Sequence, residues 1–332
     1  MAINPKPYQT EYDWPKIGHA KLSEYLDKNL VSSKLAQTYI FAGPENLGKS
    51  TMSLAFARNL LLSDGQDSDT FSSVNSDLHI LAREEGKKNI SIEAVRGLIK
   101  TLSLSSFLNS YKIGIIKEAE TLSSEAANAL LKTLEEPRDK VIVILLASSV
   151  DLLPATIVSR AQVLYFYPVP TDEIYDYLLQ DLNLGRSSAK DIAALSAGRP
   201  LLATKFAENS EVYNKHLEIA KTFFNFFGQD ISSRLKALNL VVSGDGPLTV
   251  DKAAEILEIW QRAARDLLLY SLHCQDLVQH SALKTELENI LATRPDSAPY
   301  FLNVLELLEK LKKYLAANVA PSAVLEQLIY NL

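Results

Sequence analysis

The sequence predicts an α/β domain followed by all-α segments: a parallel-sheet domain over residues 1–167, a small helical unit over 168–208 and a further helical domain over 209–332. Up to about residue 167, apolar strand-like runs alternate with helical ones. A glycine-containing turn, GPENLGKST from Gly43 to Thr51, joins one such run to the helix behind it. Beyond the prolines at 168 and 170 the remaining segments read as helical.

Taken in order, TYIFAG (Thr38 to Gly43) is a short β-rich apolar run that ends at the first glycine of the turn, and STMSLAFARNLLL (Ser50 to Leu62) continues as a helix with one apolar face. The stretch SDGQDSDTFSSVNSD (Ser63 to Asp77) is polar and turn-rich, a surface excursion with little core. YKIGIIKEAE (Tyr111 to Glu120) and KVIVILLASS (Lys140 to Ser149) are two further buried-strand candidates. Between them SSEAANALLKTLEEP is helical, with Ser123 as N-cap, Glu125 in the first turn and Pro137 just beyond the end. Near-continuous apolar strands joined by helices pack as a parallel sheet covered on both faces. VLYFYPVP (Val163 to Pro170) closes the sheet region, and Pro168 and Pro170 make a hinge. Farther on, Ala253, Ile256, Leu257, Trp260, Ala264, Leu267 and Leu268 fall at helical spacing.

Composition excludes several classes. A chain of 332 residues exceeds the roughly 250–300 that one core supports, so two or three domains are expected. Hydrophobic content of 47% with 22% charged residues is that of a soluble globular protein. No apolar run approaches a membrane span, and MAINPKPYQTEYDW has no basic segment followed by an apolar one, so the expected location is the cytoplasm, without membrane contact. The single cysteine, Cys274, excludes an intrachain disulfide and a multi-cysteine zinc site, and the five histidines show no ligand spacing, so no zinc is expected. A net charge of −6 argues against coating nucleic acid by bulk electrostatics and leaves room only for local contacts.

GPENLGKS matches the phosphate-loop pattern G-x4-G-K-[S/T], with a strand before it and a helix after it. Gly43, Pro44, Asn46, Gly48, Lys49, Ser50 and Thr51 are therefore the candidate nucleotide-binding residues. Lys49 would reach the terminal phosphates, and Ser50 would offer its hydroxyl to Mg²⁺ if nucleotide binds. Hydrolysis also wants a carboxylate at the end of a neighbouring strand. At the candidate strand end, IIKEAE, Lys117 and Glu118 stand where an Asp-Glu pair is expected. A protonated lysine cannot ligate Mg²⁺. Lys117 is then a fixed cation for phosphate, a partner of Glu118 or Glu120 at an empty site, or a solvated strand-end residue. Arg160 in SRAQ, taken alone, reads as a surface residue.

GPENLGKST, NISIEAVRGLI, AANALLKTLEEP, LLPATIVSRAQ and SAGRPLLATKFAE occur in the order and approximate spacing found in bacterial clamp-loader subunits. From about residue 14 to 207 the sequence resembles the clamp-loader subunits of DNA polymerase III, the delta-prime type first and the gamma/tau type second. The C-terminal helices match only in length and helical character. The resemblance implies an AAA+ sheet domain, a small helical lid and a C-terminal helical collar through which related subunits form an open ring. It implies ATP as the ligand, and as partners the delta and gamma/tau subunits, the sliding clamp and primer–template DNA reached through the ring. It places Arg160 as the arginine that enters the ATP site of the next subunit. Glu118 is then the remnant of a degenerate acidic motif.

This sequence departs from the family pattern in three places. Ala161 replaces a cysteine, the four-cysteine zinc module is missing from Ser63 to Asp77, and Lys117 replaces the metal-binding aspartate. Ser148 or Ser149 stands near the first sensor position. Arg199 is a candidate for the second, although the spacing points closer to Leu201. Arg96 and Lys100, one turn apart, either face DNA phosphates or form a solvated helix face. The expected role is a weakly catalytic or non-catalytic stator that donates Arg160. The alternative is a gamma/tau-like motor using Glu118 with Glu120; an unrelated P-loop kinase or repair ATPase would leave NALLKTLEEP unexplained. The absence of an extended polar tail before Leu332 is expected to disfavour the tau form.

Overall fold

The computed structural model describes residues 12–63, 77–84, 86–104, 111–136, 138–243, 246–293 and 298–332. Residues 64–76 of the polar excursion, and Pro137, lie outside the described residues. The chain forms two compact units, Met1–Glu173 with Arg199–Leu201, and Ile174–Gly198 with Leu202–Leu332. The second holds the helices from both the 168–208 and the 209–332 segments, apart from the residues assigned to the first.

The first unit runs α1 (Ala20–Ser32), β1 (Thr38–Ala42), α2 (Lys49–Ser63), β2 (Leu78–Leu81), α3 (Ile92–Leu102), β3 (Lys112–Ile116), α4 (Ser124–Glu135), β4 (Val141–Ala147), α5 (Ala155–Val158) and β5 (Gln162–Tyr165). The five strands form one sheet in the order β2-β3-β4-β1-β5, every pair parallel. β1, β3 and β4 are buried along their whole length, as unbroken apolar runs require. Alternation sorts their side chains onto two cores. Ile40, Val143 and Leu145 pack with Val95, Leu98 and Leu130 on one face, while Tyr39, Phe41, Ile142 and Ile144 pack with Met52, Phe56 and Leu60 on the other. Burying each such side chain contributes about 1.5–3 kcal/mol.

The expected α/β P-loop sheet domain with all-α segments after it is present. One strand was not anticipated. β2 is a four-residue edge strand, LHIL, with Ile80 exposed, so it carries little of the apolar signal that marks its neighbours. At its foot Asp77 and Lys112 form a buried ion pair at 3.7 Å, and Lys112 also donates to the Thr101 carbonyl at 3.2 Å. The last strand is shorter than its apolar run: pairing stops at Tyr165, before Pro168. Ser123 caps α4 as expected, accepting from the Ala126 amide at 3.1 Å, and Ser91 caps α3 in the same way.

The remaining helices are α6 (Thr171–Gln180), α7 (Arg186–Ser196), α8 (Pro200–Glu208), α9 (Ser210–Asn225), α10 (Ile231–Ser243), α11 (Val250–Ser271), α12 (Lys284–Thr293), α13 (Ala298–Ala316) and α14 (Pro321–Asn331). α11 is the axis of the second unit. It buries Ala253, Ile256, Leu257, Trp260, Ala264 and Leu267 as its spacing requires, while Leu268 is partly buried. The Trp260 indole donates to the Ile219 carbonyl at 3.0 Å and stacks on Phe223. Polar groups are buried beside it: Asp266 accepts from the amides of Gln279 and His280 at 3.0 and 2.8 Å and from His280 Nδ1 at 2.7 Å. Two side-chain contacts within this unit hold α7 against the C-terminal helices: Arg262 donates to the Leu195 carbonyl, and Ser281 donates to Asp191 at 2.7 Å. Among the described residues no helix is long and apolar enough to cross a membrane.

Candidate nucleotide-phosphate site

The loop between β1 and α2 is shaped by residues that tolerate unusual backbone angles. Gly43 sits at φ 152°, Asn46 at 61° and Gly48 at 94°. At Gly43 nothing larger fits, since an added Cβ would lie 2.3 Å from the Phe166 carbonyl oxygen. Its own amide donates to the Ala147 carbonyl at 3.1 Å, which holds the loop's entry to the end of β4. Leu47 is fully buried, and its carbonyl lies 2.8 Å from His19 Nε2; the Asn46 carbonyl accepts from the Leu201 amide at 3.1 Å. The loop is thus pinned from outside itself. Lys49 folds back over it, donating to the carbonyls of Gly43 and of Pro44, the latter at 2.7 Å. Burial lowers the Lys49 pKa below the ordinary lysine value, against the opposing pull of Glu120 and Glu45.

Above the loop lies a cavity of about 330 Å³. Glu45, Asn46, Gly48, Lys49 and Ser50 line it from the loop, and Lys117, Glu118 and Glu120 line it from the end of β3, with Ser148. Of the loop residues expected to bind nucleotide, Gly43, Pro44 and Thr51 are not among the lining groups, although Gly43 and Pro44 supply the carbonyls that Lys49 now holds.

Three carboxylates line this cavity, Glu45, Glu118 and Glu120, and the last two are engaged by neighbours. Glu118, at φ 50°, accepts from Arg83 Nε at 2.8 Å and stands partly exposed. Glu120 takes the amide of Ser148 at 3.0 Å, and the Ser148 hydroxyl, on the same oxygen. Its other oxygen, Oε2, is buried and makes no hydrogen bond among the described residues. Ser148 therefore faces the cavity, whereas Ser149 caps the turn Val150–Leu152 by accepting from the Asp151 amide at 3.3 Å. Likewise Leu201, and not Arg199, lines the cavity.

These residues do not fit a magnesium ion. Mg²⁺ wants near-octahedral oxygen ligands and a carboxylate to hold it. The strand-end position carries the Lys117 ammonium, Glu118 is engaged by Arg83, one oxygen of Glu120 is taken by Ser148, and the Glu45 carboxylate belongs to the loop and not to a strand end. Among the described residues no group of three or more His, Cys, Asp or Glu side chains is arranged to hold a metal.

Arg160 lies elsewhere, exposed just beyond α5. It does not line the cavity of its own loop. Its guanidinium pairs with Glu135 at the end of α4 at 2.8 Å and donates to the Thr156 carbonyl at 2.9 Å. Ala161 packs against the α3–α4 core, where the absence of a thiol is a matter of packing alone. Arg96 and Lys100 are exposed on α3, opposite the buried Val95, Leu98 and Leu102. Two contacts had no local signature in the sequence: Arg83 on Glu118, 35 residues apart, and Ser148 on Glu120, 28 residues apart.

Residues 18–170 match the family described as DNA polymerase III, delta subunit. The delta′ subunit of Haemophilus influenzae is 38% identical over 128 residues, 38% of this chain and 38% of its own length. The delta′ subunit of Escherichia coli is 33% identical over 124 residues, 37% of each chain. The tau subunit of Bacillus subtilis aligns more extensively at lower identity, 24% over 283 residues, 76% of this chain and 49% of its own. The chain spans less than two thirds of the length of these relatives. The sheet domain is thus similar in sequence to DNA polymerase III subunits, at higher identity to delta′ and at lower identity to gamma and tau.

Proposed function

We propose that this chain is a delta-prime-like subunit of a bacterial clamp loader, a cytoplasmic assembly that loads the sliding clamp on primed DNA during replication. Its partners are the delta and gamma/tau subunits, the clamp, and primer–template DNA reached through the assembled ring. Within the ring it acts as a stator and donates Arg160 to the ATP bound by a neighbour. The observation that carries this reading is the contrast between two sites. Arg160 is exposed and does not line its own loop cavity, while that cavity carries Lys117 where the metal-binding carboxylate that hydrolysis uses is expected. A guanidinium supplied in trans stabilises charge on the transferring phosphoryl group. The Arg160–Glu135 pair is partly exposed and contributes at most about 1 kcal/mol, so removing the arginine leaves the fold intact.

A second reading, a gamma/tau-like motor that turns over its own ATP, rests on Glu120, which lines the cavity and whose buried Oε2 makes no hydrogen bond among the described residues. Clamp- and DNA-stimulated ATPase of the reconstituted complex separates the two, with Lys49→Ala and Arg160→Ala introduced into this chain. The stator reading expects most activity to vanish with Arg160→Ala and little to change with Lys49→Ala. Equal losses from both substitutions favour the motor, and an unaffected Arg160→Ala complex refutes the donor role.

A further inference from the structure

Two lysines and three carboxylates line the loop cavity, and one of the lysines stands at the strand end where a metal-dependent phosphate site carries a carboxylate. Lys49 and Lys117 both line it, one from the loop and one from the end of β3. The side chain of Lys117 makes no hydrogen bond or ion pair among the described residues, so its ammonium is available. Of the three carboxylates that line the cavity, Glu118 is tied by Arg83 and one oxygen of Glu120 by Ser148, while Glu45 sits on the loop.

We infer that this site binds a nucleoside polyphosphate without a divalent metal, with the Lys117 ammonium supplying the countercharge that the metal would bring. The inference rests on reading the cavity as a nucleotide-phosphate site. The Lys117 ammonium, at the strand end where a metal-binding carboxylate is expected, repels Mg²⁺ and competes with it for the same phosphate oxygens, and it is held there covalently. Two lysines, the loop amides and the N-terminus of α2 then meet the phosphates. Glu120 Oε2, buried and unpaired, accepts from an ammonium once Lys49 leaves the Gly43 and Pro44 carbonyls for the ligand. Phosphate is held but no metal is positioned for transfer, which accounts physically for a subunit that keeps its loop and does not turn over.

The test is ATP binding to the full chain by calorimetry, in magnesium chloride and in EDTA, for wild type, Lys117→Ala, Lys117→Asp and Glu120→Gln. Thermal melting in the absence of nucleotide serves as a check on folding. Wild type is expected to bind equally in both buffers, within about twofold. Lys117→Ala loses roughly tenfold or more in EDTA, the usual scale for one charge-assisted hydrogen bond. Lys117→Asp binds only in magnesium. Glu120→Gln leaves the buffer independence in place. Wild-type binding that disappears in EDTA, or magnesium binding that Glu120→Gln abolishes, overturns the inference and makes Glu120 a metal ligand. Failure to bind in either buffer overturns it too, but leaves the Arg160 donor role standing, because that role is read from the neighbour's ATPase.

Discussion

Gly43→Ala probes the point at which the loop leaves the sheet. The new Cβ lies 2.3 Å from the Phe166 carbonyl oxygen and 3.0 Å from the Phe166 Cβ, so the backbone on one side must retreat by about 1 Å to reach ordinary contact. Neither side is free to move. Phe166 donates its amide to Ala42 at 2.7 Å and packs its ring 5.3 Å from Phe41 and 4.5 Å from His19, while the Gly43 amide is bonded to Ala147. Overpacking of this kind costs about 1–3 kcal/mol, and holding alanine at φ 152° costs about 1–3 more. The expected loss is about 2–6 kcal/mol, which at roughly 2–4 °C per kcal/mol lowers the melting temperature of the sheet unit by roughly 4–24 °C. Circular dichroism melting with parallel urea titrations reads this directly. Gly97→Ala is the internal control: it lies within α3, a Cβ there meets nothing within 4 Å, and the substitution should stabilise by about 0.5–1 kcal/mol. A Gly43→Ala protein that melts within about 2 °C of wild type would show that the strand ends yield and that the close approach constrains nothing.

Lys112→Met should cost about 3 kcal/mol by leaving Asp77 buried without its lysine, and a double-mutant cycle with Asp77→Asn should return a coupling of about 1–3 kcal/mol; additive losses refute the pairing. Ser123→Ala removes the bond to the Ala126 amide and should lower the urea midpoint by the equivalent of about 1 kcal/mol, whereas Ser123→Asp should not. The second unit should be acid-sensitive. Burial lowers the pKa of His216 to about 2 and also lowers that of stacked His280, with Arg262 pressing both the same way and Asp266 opposing it at His280. Below pH 6.5, the ordinary histidine value, the unfolded chain binds more protons than the folded one, so stability present above that pH drains away as pH falls, by up to about 1.4 kcal/mol per pH unit for each imidazole. Urea midpoints measured between neutral and mildly acid pH should fall accordingly, and less steeply for His216→Phe; a midpoint that ignores pH contradicts the assignment.

The features readable in the sequence share a local cause. The phosphate loop, the Ser123 cap and the buried face of α11 each depend on residues within a turn or two of one another, and backbone geometry alone converts such spacing into structure. β2 was hidden because four edge residues with a histidine among them bury too little to announce themselves. Asp266 and His280 were hidden for another reason: a charged residue inside a helical apolar stripe looks like solvent-facing polarity until its partners arrive from a later turn.

The sequence by itself determined that a P-loop joins a strand to a helix, that lysine stands at the acidic strand end, and that an arginine follows α5. Only the tertiary structure decided which of two neighbouring groups faces the cavity: Ser148 and not Ser149, Leu201 and not Arg199, and a Glu118 drawn aside by Arg83. The physical reason is the parallel register of β3 on β4, with Ile116 opposite Leu145, which brings the strand ends together so that Glu120 meets Ser148. Pairing of that kind is set by the packing of the whole sheet, and no window of sequence contains both partners.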